Sequence, residues 1–241
     1  MGKLIFISSG KGGVGKSIFS TNLGATFAER GIRVALVDMN IGLRNLDIYL
    51  GLESRVVFDV ADVLSGLVSV DRAIIKDKRF QALHFLATTQ RKEKFKTTED
   101  QIKEFYRDLK KRYDIVIIDG PAGVSEDLRL ASTIVDIAIV ITTPEYVSLR
   151  DADMVDQILR NRGVSKRVYI VNKVNKAFMS SGIIPSVEMI TNIMKIPLLG
   201  VIQEDEMIHL AANKGIPIVY HKGNYIERNF IKIADRLLGY L

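Results

Sequence analysis

Short apolar runs recur along the chain and alternate with longer segments in which apolar positions follow helical spacing. Seven of the apolar runs are rich in β-branched residues and predict strands, at residues 4–8, 33–38, 83–87, 115–119, 137–142, 167–172 and 198–202. Most of them are apolar throughout, which is typical of strands that are buried on both faces of a parallel sheet.

The segments between these strands predict helices at residues 16–30, 99–112, 148–161, 187–194, 206–213 and 226–238. Alternation of strands and helices predicts right-handed crossovers, and therefore an α/β fold with a doubly wound, mostly parallel β-sheet flanked by helices on both faces. No repeat or long linker interrupts the pattern, so residues 1–241 are expected to form one domain. The basic stretch at residues 91–96 is expected to be a solvated loop.

Composition narrows the possible chemistry. The 241 residues include 34 Lys+Arg and 28 Asp+Glu, and this mild positive excess suits a partner that carries phosphate, such as a nucleotide, a nucleic acid or an anionic lipid. The chain has no Cys, which excludes a thiolate nucleophile and a Cys-ligated zinc or iron–sulfur site. No stretch approaches the roughly 20 apolar residues of a transmembrane helix, so a cytoplasmic protein is expected.

Residues 10–17 read G-K-G-G-V-G-K-S, and they lie between a predicted strand and a predicted helix. This is the context in which G-x-x-x-x-G-K-[ST] forms a phosphate loop, because glycines let backbone N–H groups surround phosphate oxygens and the helix adds its positive end. In such a loop Lys16 reaches the β- and γ-phosphates and Ser17 ligates Mg²⁺. The expected nucleotide-binding residues are Gly10, Lys11, Gly12, Gly13, Val14, Gly15, Lys16, Ser17 and Ile18.

Lys11 is a second lysine in a loop that ordinarily needs one. Taken alone, it either points to solvent or presents another cation to nucleotide phosphates, including those of a facing subunit. The spacing K-G-G-V-G-K is the deviant Walker A motif, and through it the chain resembles the MinD/ParA class of P-loop ATPases. The resemblance implies an ATP-dependent homodimer in which Lys11 reaches the nucleotide of the partner.

A carboxylate at the end of a neighbouring strand is expected to orient Mg²⁺ beside this loop. The strand at 115–119 ends in Asp119 and precedes G-P-A-G, the pattern of a Walker B motif followed by a phosphate-sensing switch. The strand at 33–38 ends in Asp38, which either binds a metal-coordinated water or caps a turn. The expected metal-site residues are therefore Ser17, Asp38 and Asp119.

Residues 41–47, I-G-L-R-N-L-D, match the corresponding stretch of the MinD branch of the class. Similar segments follow at residues 55–59, 75–79, 121–123, 143–145, 150–151 and 200–202, so the likeness extends over nearly the whole chain. The first three of these segments favour the MinD branch over the ParA branch. The expected fold is a P-loop NTPase of the deviant Walker A type.

Asn40 departs from the family pattern, which usually has Asp at this place. In the family that acid is implicated in orienting or activating the attacking water. Asn has nearly the same shape but does not accept a proton as a carboxylate does. Asn40 therefore predicts a molecule, natural or engineered, that binds ATP and dimerises but hydrolyses slowly. The catalytic candidates are Lys11, Lys16, Asn40 and Asp119.

Residues at the ends of the later strands are candidates for the nucleotide base. Asn172 either contacts adenine, as the resemblance implies, or caps the end of its strand. Gln203 and Asp205 follow the next strand and complete the set, although the family often has Pro at position 203. Ser148 is expected to cap the helix at 148–161, and the resemblance implies that regulators dock near this helix.

The last predicted helix has a spacing that favours core packing over membrane anchoring. Its apolar and basic positions are Phe230, Ile233, Leu237, Arg228, Lys232 and Arg236. Proteins of the family continue into a short basic amphipathic segment that lies in the membrane interface. The end of this chain at Leu241 predicts either a removed segment or another mode of membrane attachment.

The resemblance implies a switch that positions cell division. With ATP and Mg²⁺ the dimer associates with the anionic inner face of the cell membrane and recruits a MinC-like septum inhibitor, a MinE-like protein regulates it, and hydrolysis to ADP releases it. A nucleic-acid partner is not expected for this function.

Three alternatives remain open. A ParA-type DNA partition ATPase would show salt-dependent DNA binding, and a flagellar-placement ATPase belongs to the same class. A small-molecule P-loop kinase or ligase would turn over without dimerising.

Overall fold

Eight strands form one sheet in the computed structural model, which describes all residues from 1 to 241. The strands are β1 (Lys3–Ser9), β2 (Val34–Asp38), β3 (Ile75–Lys76), β4 (Leu83–Leu86), β5 (Ile115–Ala122), β6 (Ile137–Thr142), β7 (Arg167–Val174) and β8 (Leu198–Gln203). Their order across the sheet is β3-β4-β2-β5-β1-β6-β7-β8. Every pairing is parallel except that of β3 with β4, which confirms the expected doubly wound sheet.

The helices are α1 (Lys16–Glu29), α2 (Leu46–Tyr49), α3 (Val60–Leu64), α4 (Val70–Ala73), α5 (Glu99–Arg112), α6 (Glu126–Ala131), α7 (Tyr146–Asn161), α8 (Lys176–Ser180), α9 (Val187–Met194), α10 (Glu206–Asn213) and α11 (Tyr225–Leu238). Short 3₁₀ turns occur at Glu53–Arg55, Lys92–Lys94 and Ile218–Tyr220. All the predicted helices are present. The additional ones are too short for helical periodicity to reveal them.

Both faces of the sheet are covered because side chains along each strand alternate between them. On β1, Ile5 and Ile7 belong to a cluster of 35 buried residues that includes α1 and α11. Leu4 and Phe6 belong to a cluster of 32 on the opposite face, with α5, α7 and α9. The two clusters are nearly equal in size, which explains why the strand sequences are apolar throughout.

The expectation that Ser148 caps a helix is wrong. Helix α7 begins at Tyr146, and Glu145 takes the capping position without a side-chain hydrogen bond. The hydroxyl of Ser148 is buried inside the first turn, where it accepts hydrogen bonds from the backbone N–H of Thr143 at 3.2 Å and the hydroxyl of Thr142 at 3.1 Å. Ser148 therefore fastens α7 to the end of β6.

Helix α11 packs into the core, as its spacing predicted. Phe230, Ile233 and Leu237 are buried, and the ring of Phe230 lies 5.6 Å from the ring of Phe19 on α1. No helix in the structure combines the length and apolar character that crossing a bilayer requires.

Arg79 joins three separate segments of the chain. Its guanidinium donates to the carbonyl of Leu50 at 2.5 Å and to that of Gly215 at 2.8 Å, and it pairs with the buried carboxylate of Asp77 at 2.6 Å. Gly215 and Gly51 touch at this crossing, where a Cβ on Gly215 would lie 2.7 Å from the Gly51 Cα. The end of α2 is thereby held against the turn that follows α10.

Candidate nucleotide-binding site

The glycine-rich loop between β1 and α1 has room for a ligand on its outer side. Gly13 and Gly15 adopt positive φ angles of 79° and 93°, which favour glycine. A Cβ on Gly12 or Gly13 would meet no atom within 4 Å, whereas one on Gly10 would lie 2.3 Å from the backbone of Asp151. Gly10 therefore allows close packing against α7, and Gly12 and Gly13 leave the backbone accessible to phosphate oxygens.

Asp119 on β5 joins the predicted phosphate and metal residues. One oxygen of this fully buried carboxylate accepts from the Lys16 ammonium at 3.3 Å and from the Ser20 hydroxyl at 2.8 Å. The other accepts from the Ser17 hydroxyl at 2.6 Å. The Walker A and Walker B residues thus lie together, and Ser20 is a contact that the motif did not reveal.

Asp38 on β2 lies beside Asp119, because the two residues pair in register across β2 and β5. It also performs the turn-capping role left open by the sequence. Its carboxylate accepts the backbone N–H of Asn40 at 2.9 Å and, at longer range, that of Asn45 at 3.4 Å. Burial away from water, and secondly the negative charge of Asp119, raise the pKa of Asp38 to about 7.

The raised pKa of Asp38 predicts a pH-dependent loss of stability in the protein without nucleotide or metal. Between about pH 4 and 7 the unfolded chain loses the Asp38 proton while the folded chain retains it, so this group makes the free energy of unfolding fall as pH rises. Asp38→Asn keeps the acceptor for Asn40 and removes the titration. We expect this variant to be the more stable protein at pH 8, by on the order of 2 kcal/mol.

Chemical denaturation in EDTA from pH 4.5 to 8 measures this difference. The gap between the variant and the parent protein should widen as pH rises and level off above about pH 7. Parallel curves for the two proteins would show that Asp38 ionises with its ordinary pKa.

The donor set fits Mg²⁺ together with a nucleotide. Two buried carboxylates from adjacent strands and the Ser17 hydroxyl offer the oxygen ligands and water partners that Mg²⁺ prefers. The open glycine loop and the start of α1 suit phosphate oxygens. When bound, Mg²⁺ would neutralise charge on the β- and γ-phosphate oxygens.

A cleft of about 580 Å³ lies over the glycine loop. Lys16, Ser17 and Asn40 line it, together with Leu43 from the loop after β2. The backbone N–H of Asn40 is engaged with Asp38, but its side-chain amide makes no hydrogen bond within the chain. The amide of Asn40 is therefore free to contact a ligand in the cleft.

A narrower cavity of about 30 Å³ adjoins this cleft on the side of β7 and β8. Ile18, Asn172, Gln203 and Asp205, all predicted to lie near the nucleotide, line this cavity. Gly15, Ile18, Lys173 and His209 line both spaces, so the two are continuous. The arrangement places a small, largely apolar recess next to the polar cleft over the glycine loop.

The residues on the base side also hold the glycine loop. The amide nitrogen of Asn172 donates to the Val14 carbonyl at 2.8 Å, and the Lys173 ammonium donates to the Gly13 carbonyl at 2.9 Å. A Cβ on Gly15 would lie 2.3 Å from that amide nitrogen of Asn172, so the fit requires glycine. The end of β7 thus fixes the loop, and the Asn172 carbonyl oxygen has no partner within the chain.

The side chains of Gln203 and Asp205 differ in their hydrogen bonds within the chain. Asp205 caps α10 by accepting the N–H of Met207 at 2.7 Å, and its second oxygen accepts from the Tyr225 hydroxyl. The side chain of Gln203 makes no hydrogen bond within the chain, so its amide is available toward the cavity that it lines.

Lys11 lies apart from the cleft of its own chain. Its carbonyl accepts from the Ser9 hydroxyl at 2.9 Å, which fixes the backbone at this position. Its ammonium forms neither a hydrogen bond nor an ion pair within the chain, whereas that of Lys16 pairs with Asp119. The two lysines of the motif therefore face different surroundings.

Several cleft residues were not among the sequence candidates: Lys92, Lys173, His209, Tyr49 and Asp127. The position of Lys173 directly after Asn172 was a usable signal, because the residue after a strand end lies at the same edge. Lys92 belongs to the basic stretch that was expected to be only a solvated loop.

Comparison with known proteins identifies the family of the chain. The family model described as "ParA: NUBPL iron-transfer P-loop NTPase" matches residues 1–238. The septum site-determining protein MinD of Bacillus subtilis is 39% identical over 241 residues, which are 99% of this chain and 90% of that protein. MinD of Synechocystis is 39% identical over 240 residues, covering 99% of this chain and 90% of that protein.

Solved structures agree as well. The MinC:MinD cell division protein complex of Aquifex aeolicus superposes with a TM-score of 0.92 at 36% identity, covering 98% of this chain and 96% of that chain. MinD of Pyrococcus horikoshii, complexed with Mg-ADP, superposes with a TM-score of 0.88 at 30% identity over 98% of this chain and 96% of that chain.

The iron transfer named for the family model does not suit this sequence, which has no Cys to ligate a cluster. The glycine loop with two lysines, the buried Asp119 that joins Lys16 to Ser17, and the full-length similarity to MinD proteins agree with one another. The chain belongs to the ParA family of P-loop ATPases and, within it, to the MinD-like septum site-determining ATPases.

Proposed function

We propose that the chain acts as an ATP-dependent dimerising switch that positions cell division. In this proposal ATP and Mg²⁺ bind in the cleft, two copies close face to face over two nucleotides, and the closed dimer is the active form. Hydrolysis to ADP would return the molecule to monomers. Asn40 in place of the family's acid would slow that step and prolong the dimer.

The position of Lys11 is the observation that carries this proposal. Its ammonium has no partner within the chain and does not line the cleft of its own chain, although the neighbouring backbone is fixed by Ser9. A cation held in this way at the edge of a phosphate loop is suited to an anion on a second molecule. The nucleotide in a facing copy would supply that anion.

Exposed apolar side chains around the cleft support closure by a second copy. Leu43 is 63% exposed and lines the cleft, and Val124 is 45% exposed directly after the glycine that bonds to Ser9. Tyr146 and Val147 are about 60% exposed at the start of α7, the helix that packs against Gly10. An apolar rim around a polar cleft is typical of a surface that becomes buried on association.

Different residues of the chain would have different roles in ATP hydrolysis. Lys16 would stabilise the charge that develops on the transferred phosphoryl group, and Lys11 of the facing copy would add a second positive charge. Ser17 and Asp119 would hold Mg²⁺, with Asp38 acting through its bound water. Asn40 would orient the attacking water without accepting its proton.

We further propose that the dimer lies on the inner face of the cell membrane and recruits a MinC-like septum inhibitor, with a MinE-like regulator acting on it. The solved MinC:MinD complex of Aquifex aeolicus supports the inhibitor as a partner class. A single amphipathic segment that lies in the membrane interface binds weakly and reversibly. If each copy carries one such segment, dimerisation doubles their number. Linked binding of two segments raises membrane affinity steeply, which would make membrane residence depend on ATP.

Size-exclusion chromatography with light scattering tests the switch directly. With Mg²⁺ and ADP we expect a mass near the 27.0 kDa of one chain, and with a non-hydrolysable ATP analogue a mass near twice that value. A mass that is the same with both nucleotides would contradict a dimerising switch and would favour an enzyme that acts on small molecules.

A further inference from the structure

Three lysines line the phosphate cleft, each from a different element: Lys16 at the start of α1, Lys173 at the end of β7, and Lys92 in the 3₁₀ turn after β4. Lys16 is paired with Asp119, and Lys173 is bonded to the Gly13 carbonyl. The ammonium of Lys92 forms no hydrogen bond or ion pair within the chain. Lys92 is therefore the one lysine of the cleft whose charge is not engaged.

Lys92 is exposed, and its aliphatic part lies against the loop after β2. A Cβ on Gly42 would lie 2.7 Å from Cε of Lys92 and 3.1 Å from its Cγ, so the lysine covers this glycine closely. The backbone N–H of Gly42 donates to the Thr89 carbonyl at 2.9 Å, which ties the two segments together. Gly42 has a φ of +90°, so a side chain here would strain the backbone as well as displace Lys92.

The order of the strands indicates which part of a nucleotide Lys92 would meet. The narrow apolar cavity lies at β7 and β8, the glycine loop follows β1 in the middle of the sheet, and Lys92 follows β4 on the far side. A nucleotide with its base in the cavity and its phosphates on the loop extends toward β5, β2 and β4. The terminal phosphate of such a nucleotide would lie nearest to Lys92.

Charges near Lys92 do not cancel its effect. Asn40 and Asn45, which also line the cleft, are neutral. Neither Asp127 of the cleft nor the adjacent Glu93 forms an ion pair with Lys92. Its neighbour Lys94 is engaged elsewhere, with Asp62 at 3.8 Å. A free ammonium at this place favours an anion with more negative charge over one with less.

We propose that Lys92 binds the terminal phosphate of a nucleoside triphosphate in the cleft of its own chain, and so makes the site discriminate triphosphate from diphosphate. This role rests on the proposed nucleotide-binding function. It assigns to the basic stretch a part in sensing the nucleotide, and it places a positive charge beside the loop that carries Asn40.

Titration with fluorescent nucleotides tests this proposal. The parent protein, Lys92→Met, Lys92→Arg and Lys96→Met are each titrated, in Mg²⁺, with a labelled non-hydrolysable ATP analogue and with labelled ADP. Lys96 is a matched control, because it is exposed in the same stretch and does not line the cleft. We expect Lys92→Met to weaken binding of the triphosphate about five- to tenfold and of ADP less than twofold, since one charged hydrogen bond is lost.

Lys92→Arg should retain most of the discrimination, and Lys96→Met should behave as the parent protein. Repeating the series in Lys11→Met proteins removes the proposed contact between copies, and the effect of Lys92→Met should persist there. Equal weakening of both nucleotides, no weakening, or an effect that vanishes without Lys11 would overturn the role of Lys92. A parent protein that binds neither nucleotide would overturn the proposed function itself.

Discussion

Replacing Asn40 with Asp is expected to raise the rate of ATP hydrolysis by about 100-fold, the lower end of the range that a positioned general base contributes. Asn and Asp are nearly identical in shape, so the substitution changes the chemistry of the position and leaves its packing intact. The side-chain amide of Asn40 has no partner within the chain, so no existing contact is lost. The new carboxylate gains the ability to accept a proton from water.

The backbone of Asn40 strengthens this expectation. Its N–H donates to Asp38 at 2.9 Å, and its carbonyl accepts from Leu43 at 3.2 Å, so the residue is held at both ends while its side chain faces the cleft. A side chain presented from a fixed backbone costs little to orient for reaction. The acid in Asn40→Asp would therefore occupy a defined place beside Lys16 and Ser17.

Asn45→Asp is the matched control, because Asn45 lines the same cleft and gains the same charge. Phosphate release under single-turnover conditions measures the hydrolysis step for the three proteins. We expect acceleration only in Asn40→Asp, together with a shorter-lived dimer in ATP. Equal hydrolysis rates for Asn40→Asp and the parent protein would remove this position from the mechanism. An equal increase in rate for Asn45→Asp would show that added negative charge in the cleft, and not the position of the acid, causes the acceleration.

Lys11→Met is expected to abolish dimerisation in triphosphate and to lower ATP turnover by at least about 100-fold, the order expected when a charge that stabilises the transition state is removed. The methionine keeps the unbranched stem and removes the ammonium. Because this ammonium has no partner within the chain, the stability of the monomer should not change. Binding of ADP to the monomer should also be retained, since Lys11 does not line its own cleft.

Lys111→Met loses the same charge on α5, at the opposite edge of the sheet, and serves as the control. Light scattering in ADP and in a non-hydrolysable triphosphate, combined with a thermal melt, separates assembly from folding. A dimer that persists in Lys11→Met would show that the contact between copies does not depend on this lysine. A lower melting temperature with unchanged assembly would instead give Lys11 a role within its own chain.

The main elements of the fold were predictable because the core strands are apolar on both faces and the longer helices run for two or more turns. The edge strand β3 was missed because its two residues leave no pattern to detect. The start of α7 was placed at Ser148 because serine is a frequent cap, whereas in the structure burial assigns its hydroxyl to the end of β6.

The contacts around the phosphate loop were predictable because the loop motif is found in one known geometry. Lys16, Ser17 and Asp119 meet because the phosphate loop and the neighbouring strand end at the same edge of the sheet. Contacts across distant loops were not predictable. Lys92 lines the cleft with its stem close to Gly42, and nothing in a basic stretch singles out one of its lysines.

Asp38 has the turn-capping role that the sequence left open, and its role beside a metal ion stays a proposal. Its carboxylate caps the turn that contains Asn40, and it also lies next to Asp119 in the sheet. A capping residue and a metal-site residue can have the same side chain, so the sequence alone could not decide between the two roles.

The contact made by Arg79 would limit where the proposed response to nucleotide can occur. The loop after β2 begins at Asp38, whose carboxylate holds backbone N–H groups, and the α2 helix beyond it ends at the carbonyl bonded to Arg79. A rearrangement of this loop would then involve only the short span between these two ends. A transition that orders so few residues has a small entropic cost and a low kinetic barrier. The slow step of the proposed ATPase cycle would then be cleavage of the phosphate bond or separation of the two copies, because loop motion would be faster than both.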